Sequence, residues 1–237
     1  DDSLAALVEQ LAVQGAIRAG QVVVHTSGRH GVAVLAPAAR LGALAVALHP
    51  AMTFTGTDVD IARLRTCVFG VTADDTGLEI ARALVADLGA TSTYVPEDAR
   101  ALYHSALAHG ANHLVTLVTQ AMALLKQAGS ADPSATLRPL LAAALENALV
   151  YGDAALTGPV VRGDLDTVSA HLDALADAPA PTLDSYLALA RVTAELAVAD
   201  GRLPRERARR IADTLDEASW DATAAQVAER PADSWSR

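Results

Sequence analysis

An α/β segment followed by an all-α segment is the fold class that this sequence predicts. Three observations predict it. Up to about residue 95, short β-branched runs alternate with helical patterns. From Pro96 onward no strand pattern occurs. At the junction lies one long helical stretch, PEDARALYHSALAHGANHLVTLVTQAMALLKQAG, from Pro96 to Gly129. The expected domains are therefore 1–95 and 96–237.

The elements follow in order. A helix is expected from Asp2 to Gln14, with Asp or Ser as a normal N-cap. QVVVHTSG gives a strand over Gln21–His25 and a Thr-Ser-Gly loop. A helix spans Gly31–Leu41, and a second strand spans Leu44–Leu48. AMTFTGTD is a loop rich in hydroxyls, and VDIARLR is a short helix. A strand over Thr66–Val71, a helix over Asp75–Leu88 and a strand over Ser92–Val95 complete the first part. Apolar strands of this length between helices indicate a mostly parallel sheet covered on both faces.

The junction stretch reads as a single helix, Glu97–Ala128. Pro96 suits its start and Gly129 its end. Leu102, Ala106, Leu114, Leu117, Val118, Met122 and Leu125 recur at helical spacing and are expected to be buried. His104, Ala108 and Asn112 are four apart and share a side, as do His109 and His113. Further helices are expected at 133–150, 163–176, 182–200, 204–217 and 220–229.

Composition narrows the function. Half the residues are hydrophobic but only 3% are aromatic, so the core is mostly Ala, Leu and Val. A net charge of −10 argues against a general nucleic-acid role, which needs a basic face. The basic run Arg202–Arg210 reads as a solvated helix start rather than an anion patch. No apolar run reaches the ~20 residues needed to span a bilayer, so no membrane partner is expected. Cys67, the one cysteine, sits in the apolar run TCVFGV and reads as packing. With no internal disulfide to form, a reducing cytoplasm is the expected location.

Ligands of open α/β sheets bind beyond the carboxyl ends of the strands. Two such ends carry histidine here. The first delivers His25, Thr26, Ser27 and Gly28; the second delivers His49, Pro50, Thr53 and Thr55. Histidines at neighbouring strand ends suit a site that handles protons near neutral pH. Either could instead bond its own loop. On the long helix, His104 and Asn112 are the catalytic candidates. Histidine can donate a proton to a developing alkoxide, and an asparagine amide can orient a carbonyl or hydroxyl. His109 and His113 have the spacing of a metal pair but no third ligand in register, so no metal is expected. In TGPVVRGD, Arg162 has the fork to pair with a carboxylate. The plainer reading, slightly preferred, is that Arg162 holds the turn while Asp164 caps the next helix.

Together, VVVHTSGRHGVAVLAPAARLGALAVALHPAMTFTG, ALYHSALAHGANHLVTLV and ALTGPVVRGD resemble a bacterial family of oxidoreductases. These join a Rossmann-like NAD(P) domain to a helical domain of uncharacterised type. They belong to the 6-phosphogluconate dehydrogenase-like superfamily, with ketopantoate reductase. The resemblance implies a partial Rossmann-like parallel sheet in 1–95 and a substrate and dimerisation domain in 96–237. Ketopantoate reductases carry a catalytic Lys on the long helix, with an Asn four residues on and another eight on. Here His104 falls at the Lys, Ala108 at the first Asn and Asn112 at the second. The resemblance also implies a G-x-G-x-x-G loop, which this chain lacks. DDSLAAL looks like a segment well inside such a domain, so roughly 70–90 preceding residues, about the first half of such a fold, are expected to be missing.

The resulting expectation is an NADP- or NAD-dependent reductase of a small carboxylated carbonyl, a 2-keto acid of the ketopantoate kind. Nicotinamide is expected near His25–Gly28, and substrate near His49, Pro50, Thr53, Thr55 and Arg162. His104 is then the proton donor and Asn112 orients the substrate. A homodimer through helical surfaces is expected. The alternative is a non-catalytic dimeric helical module that has lost the cofactor loop.

Overall fold

The structure, a computed structural model, describes residues 1–228, with side chains described through Trp220. The described residues form two compact units, divided between Leu114 and Val115.

The first unit is built on a four-stranded sheet in the order β1-β2-β3-β4. The strands are β1 Val22–His25, β2 Leu44–Pro50, β3 Val68–Thr72 and β4 Thr91–Tyr94. The helices are α1 Leu4–Val13, α2 Ala36–Arg40, α3 Val59–Leu64 and α4 Asp75–Asp87; a 3-10 turn, Val32–Leu35, leads into α2. The α/β class and the four strands are as expected. One strand is not: β3 runs antiparallel to β2, while β1–β2 and β3–β4 are parallel. An apolar run buried on both faces reads the same in either direction, so its pattern cannot announce this reversal.

Side chains alternate across the sheet, which gives it two cores. On one face Val46, Leu48, Phe69 and Val71 pack with Ala81 and Val85 of α4. On the other, Val23, Ala43 and Ala45 pack with Val8 of α1 and with Leu35 and Ala38. Cys67 is buried with the first group, and burial pushes its thiol pKa up. It is packing, as its apolar run indicates.

The junction stretch is helical from Glu97 to Gln127 but not as one α-helix. A 3-10 turn (Glu97–Ala99) leads into α5 (Arg100–Leu107), a π-helical turn (Ala108–Asn112) and α6 (His113–Gln127). The expected buried stripe is not buried. Leu102 is 74% exposed and Leu114 and Leu117 are about two-fifths exposed. Ala106 is exposed too, and Val118, Met122 and Leu125 are only half-buried. Periodicity marks an apolar face; it does not supply what covers that face.

In the second unit, α7 Pro133–Tyr151, α8 Pro159–Arg162, α9 Leu165–Leu175, α10 Ala180–Ala199 and α11 Arg205–Ala228 follow. The helices expected at 204–217 and 220–229 are one helix, since no breaker separates them; residue 229 lies outside the described residues. The core joins Val168 and Leu172 of α9, Leu187 and Ala194 of α10, and Ile211 and Leu215 of α11. Among the described residues no helix is long and apolar enough to cross a membrane.

Candidate functional site

The carboxyl end of β2 and the first turns of α5 meet in the first unit. His49 is the penultimate residue of β2 and pairs in register with Gly70 of β3. Gly70 has no side chain, and the space goes to the Tyr103 ring: a Cβ there would fall 2.5 Å from the Tyr103 hydroxyl. That hydroxyl lies 3.0 Å from His49 Nδ1. Burial raises the Tyr103 pKa, so the phenol keeps its proton and can donate it to Nδ1. The imidazole proton then sits on Nε2, toward Gly28.

The His49 pKa is pulled down to about 4, by burial first and then by the Arg100 and His104 charges. Neutral His49 is thus a hydrogen-bond donor at physiological pH rather than an acid. His104 stands edge-on to it, the ring centroids 6.0 Å apart at 90°. Gly28 completes the wall: a Cβ on it would overlap the His104 ring and lie 2.9 Å from His49 Nε2. Among the described residues, no hydrogen-bond partner holds the His104 ring nitrogens.

Next to this pair opens a cleft of about 280 Å³, lined by His49, Ala51, Met52, Thr53, His104, Leu107, Ala108, Ala111 and Asn112. Four of these come from the π turn or the residue before it. π turns inside helices recur at functional sites. A larger cleft in the second unit, about 490 Å³ between α10 and α11, is walled by Ala and Val with Arg and acidic side chains. It contains no histidine or tyrosine.

Arg100 holds the strand-end loops together and is only 1% exposed. Its guanidinium donates to the Ser27, His30 and Gly70 carbonyls at 2.5, 2.9 and 3.1 Å. It also lies 5.5 Å from the Tyr103 ring centre. Glu97 accepts from the Val32 and Ala33 amides at the 3-10 turn. Neither residue, nor Tyr103, was singled out by sequence reasoning. A charged residue early in a helix reads as solvated, and nothing in its spacing points to carbonyls 30 to 73 residues away.

Residues 67–193, more than half of the chain, match the family model for a domain of unknown function (DUF2520). The chain belongs to this family. A model for a Rossmann-like domain matches residues 1–50. Two solved structures share the fold. Protein TM1727 from Thermotoga maritima is 22% identical, with a TM-score of 0.63 over 76% of this chain and 70% of that one. BF3122 from Bacteroides fragilis, named as a candidate NADP oxidoreductase, is 24% identical, with a TM-score of 0.60 over 73% and 65%. No curated protein matches the chain.

The cleft draws on both matched segments, His49 from the Rossmann-like match and His104 and Asn112 from the DUF2520 match. Of the remaining sequence-predicted residues, Thr53 lines it, and Gly28 backs it. His25 is tied to its own loop: Nδ1 accepts from the Ser27 amide and Nε2 donates to the Gly31 carbonyl. Burial, chiefly, pulls its pKa down. With Thr26 and Ser27 it borders a separate shallow cleft of about 300 Å³. Pro50 is buried at the end of β2, and Thr55 bonds Asp60. Neither is in the lining. Arg162 lies in the second unit and outside the lining, and Asp164 caps α9 by accepting from Thr167. His109 and His113 face each other at 2.9 Å between Nδ1 atoms. Among the described residues no three His, Cys, Asp or Glu are grouped to hold a metal.

Proposed function

We propose that this DUF2520 chain carries the substrate side of an NADP- or NAD-dependent reductase. The substrate would be a small carboxylated carbonyl, with 2-keto acids of the ketopantoate kind leading. One observation carries the reading. A neutral, donor-oriented histidine and an unrestrained histidine converge with Asn112 on one cleft at a strand end of an α/β sheet. The Rossmann-like match over residues 1–50 and the name of the Bacteroides fragilis neighbour support the cofactor class.

The nicotinamide end of such a cofactor would lie by the loop that follows β1. The Thr26–Gly28 loop leaves β1 beside the cleft, and the room that Gly28 leaves is taken by the His49 and His104 rings. A bound nicotinamide supplies a hydride. The chain's own groups do the rest. His49 Nε2–H donates to the substrate carbonyl and polarises it. His104 gives its proton to the oxygen as negative charge develops there, a contribution of about 100-fold or more. Asn112 holds the substrate carboxylate or hydroxyl by its amide. Leu107, Ala108 and Ala111 keep the cleft small and exclude bulky substrates.

The test is NADPH consumption by the full-length protein over a panel of short 2-keto acids. With the best substrate, His104→Ala is expected to lower kcat by about 100-fold, and Asn112→Ala is expected to raise KM. Turnover unchanged in both variants would defeat the assignment. No turnover of any keto acid would favour the non-catalytic module instead.

A further inference from the structure

The basic run Arg202–Arg210 divides its arginines between two tasks. Arg202 donates to the Leu156 and Asp153 carbonyls, both at 2.6 Å, and pairs with Asp200. Arg207 donates to the Arg162 carbonyl at 3.4 Å. These two hold the backbone between α7 and the end of α8. Arg205 and Arg209 instead line the cleft of about 490 Å³ between α10 and α11. Four residues apart, they share one side of α11 on successive turns, about 6 Å apart along its axis. Among the described residues neither guanidinium has a hydrogen-bond or ion-pair partner.

The rest of the cleft is apolar with a charged far end. Ala194 and Val198 of α10 face Ala208 and Ala212 of α11, and these short side chains leave the hollow between the helices. Leu215, fully buried, lies beneath it. Arg191 pairs with Asp216 at 2.8 Å and closes one end. Counting Glu195, three arginines line the cleft against two carboxylates, an excess of one positive charge. The chain as a whole carries −10. The volume falls within the range of small-molecule sites, about 300–1,000 Å³. The cleft shares no residue with the one that holds His49 and His104.

We propose that the α10–α11 cleft binds a small monocarboxylate with an apolar body. Arg205 and Arg209 hold the carboxylate, since the guanidinium fork matches its two oxygens. The alanines, Val198 and Leu215 take the hydrocarbon. The single excess charge of the lining complements a monoanion. Glu195 and Asp216 oppose a dianion such as phosphate, and no aromatic ring in the lining offers a nucleotide base a stacking partner.

The test is titration of the full-length protein with hexanoate, followed by calorimetry and by the methyl NMR signals of Val198 and Leu215. Saturable binding with a Kd on the order of 1 mM is expected, with both methyl signals shifting. Acetate lacks the apolar body and hexanol lacks the charge, so each should bind about tenfold or more weakly. Arg205→Gln and Arg209→Gln should each weaken hexanoate by about tenfold. Arg210→Gln, which removes an arginine outside the lining, should change it by less than about threefold. Ala212→Phe fills the hollow and should abolish binding, while circular dichroism shows its helix content kept. Asn112→Ala, in the other cleft, should leave binding as it is. No saturable binding, or binding without a shift at Val198 and Leu215, overturns the proposal. So does acetate or hexanol binding as well as hexanoate, affinity unmoved by Arg205→Gln and Arg209→Gln, or affinity lost in Asn112→Ala.

Discussion

His49 and His104 line the same cleft, yet their surroundings give them different work. His49 is held by Tyr103 and lies near the buried Arg100 cation. Its folded pKa of about 4 lies below the ordinary 6.5. The unfolded chain therefore binds the extra proton first on acidification. The stability tied to neutral His49 is complete above pH 6.5 and is lost as pH falls toward 4. That difference is worth at most about 3 kcal/mol. Urea unfolding at several pH values should show the slope, and His49→Gln should flatten it. An unchanged slope would mean that His49 is not the group held neutral. His25 and His49 were both legible in the sequence as histidines at strand ends. Their division of labour was not, because it depends on Ser27, Gly31 and Tyr103 reaching the rings in space.

Elements show why some of the site could be read and some could not. His104, Ala108 and Asn112 were placed on one side by four-residue spacing, and all three do line the cleft. The π turn that presents Ala108, Ala111 and Asn112 has no signature beyond the small residues of AHGAN. Arg100 was invisible for a different reason. Its three acceptors are backbone carbonyls, which leave no trace in residue type. They make Arg100 the fastener between α5, β3 and the loop after β1. Arg100→Met leaves those carbonyls unpaired and should cost about 3–5 kcal/mol in denaturant unfolding. A loss under about 1 kcal/mol, the worth of an ordinary hydrogen bond, would show that water replaces the guanidinium at little cost. The antiparallel β3 and the uncovered stripe of α5 and α6 were missed because hydrophobic pattern specifies which faces are apolar. It specifies neither strand direction nor what packs there.

At the scale of the whole molecule, the class of fold was legible because strand patterns stop at Pro96, and in the structure no described residue beyond Tyr94 forms a strand. The net charge of −10 sets a general field that repels nucleic acid and leaves recognition of an anionic metabolite to local groups. On the proposed reading those are Asn112, the His49 donor and His104. The central claim is that this cleft reduces a small keto acid with hydride from a nicotinamide cofactor. The most direct measurement uses NADPH carrying deuterium at the transferred position, incubated with the full-length protein and short 2-keto acids, with products read by mass spectrometry. A 2-hydroxy acid bearing deuterium on the former carbonyl carbon, absent or strongly reduced with His104→Ala, is the predicted result. No labelled product from any keto acid, or equal label from His104→Ala, would contradict the account.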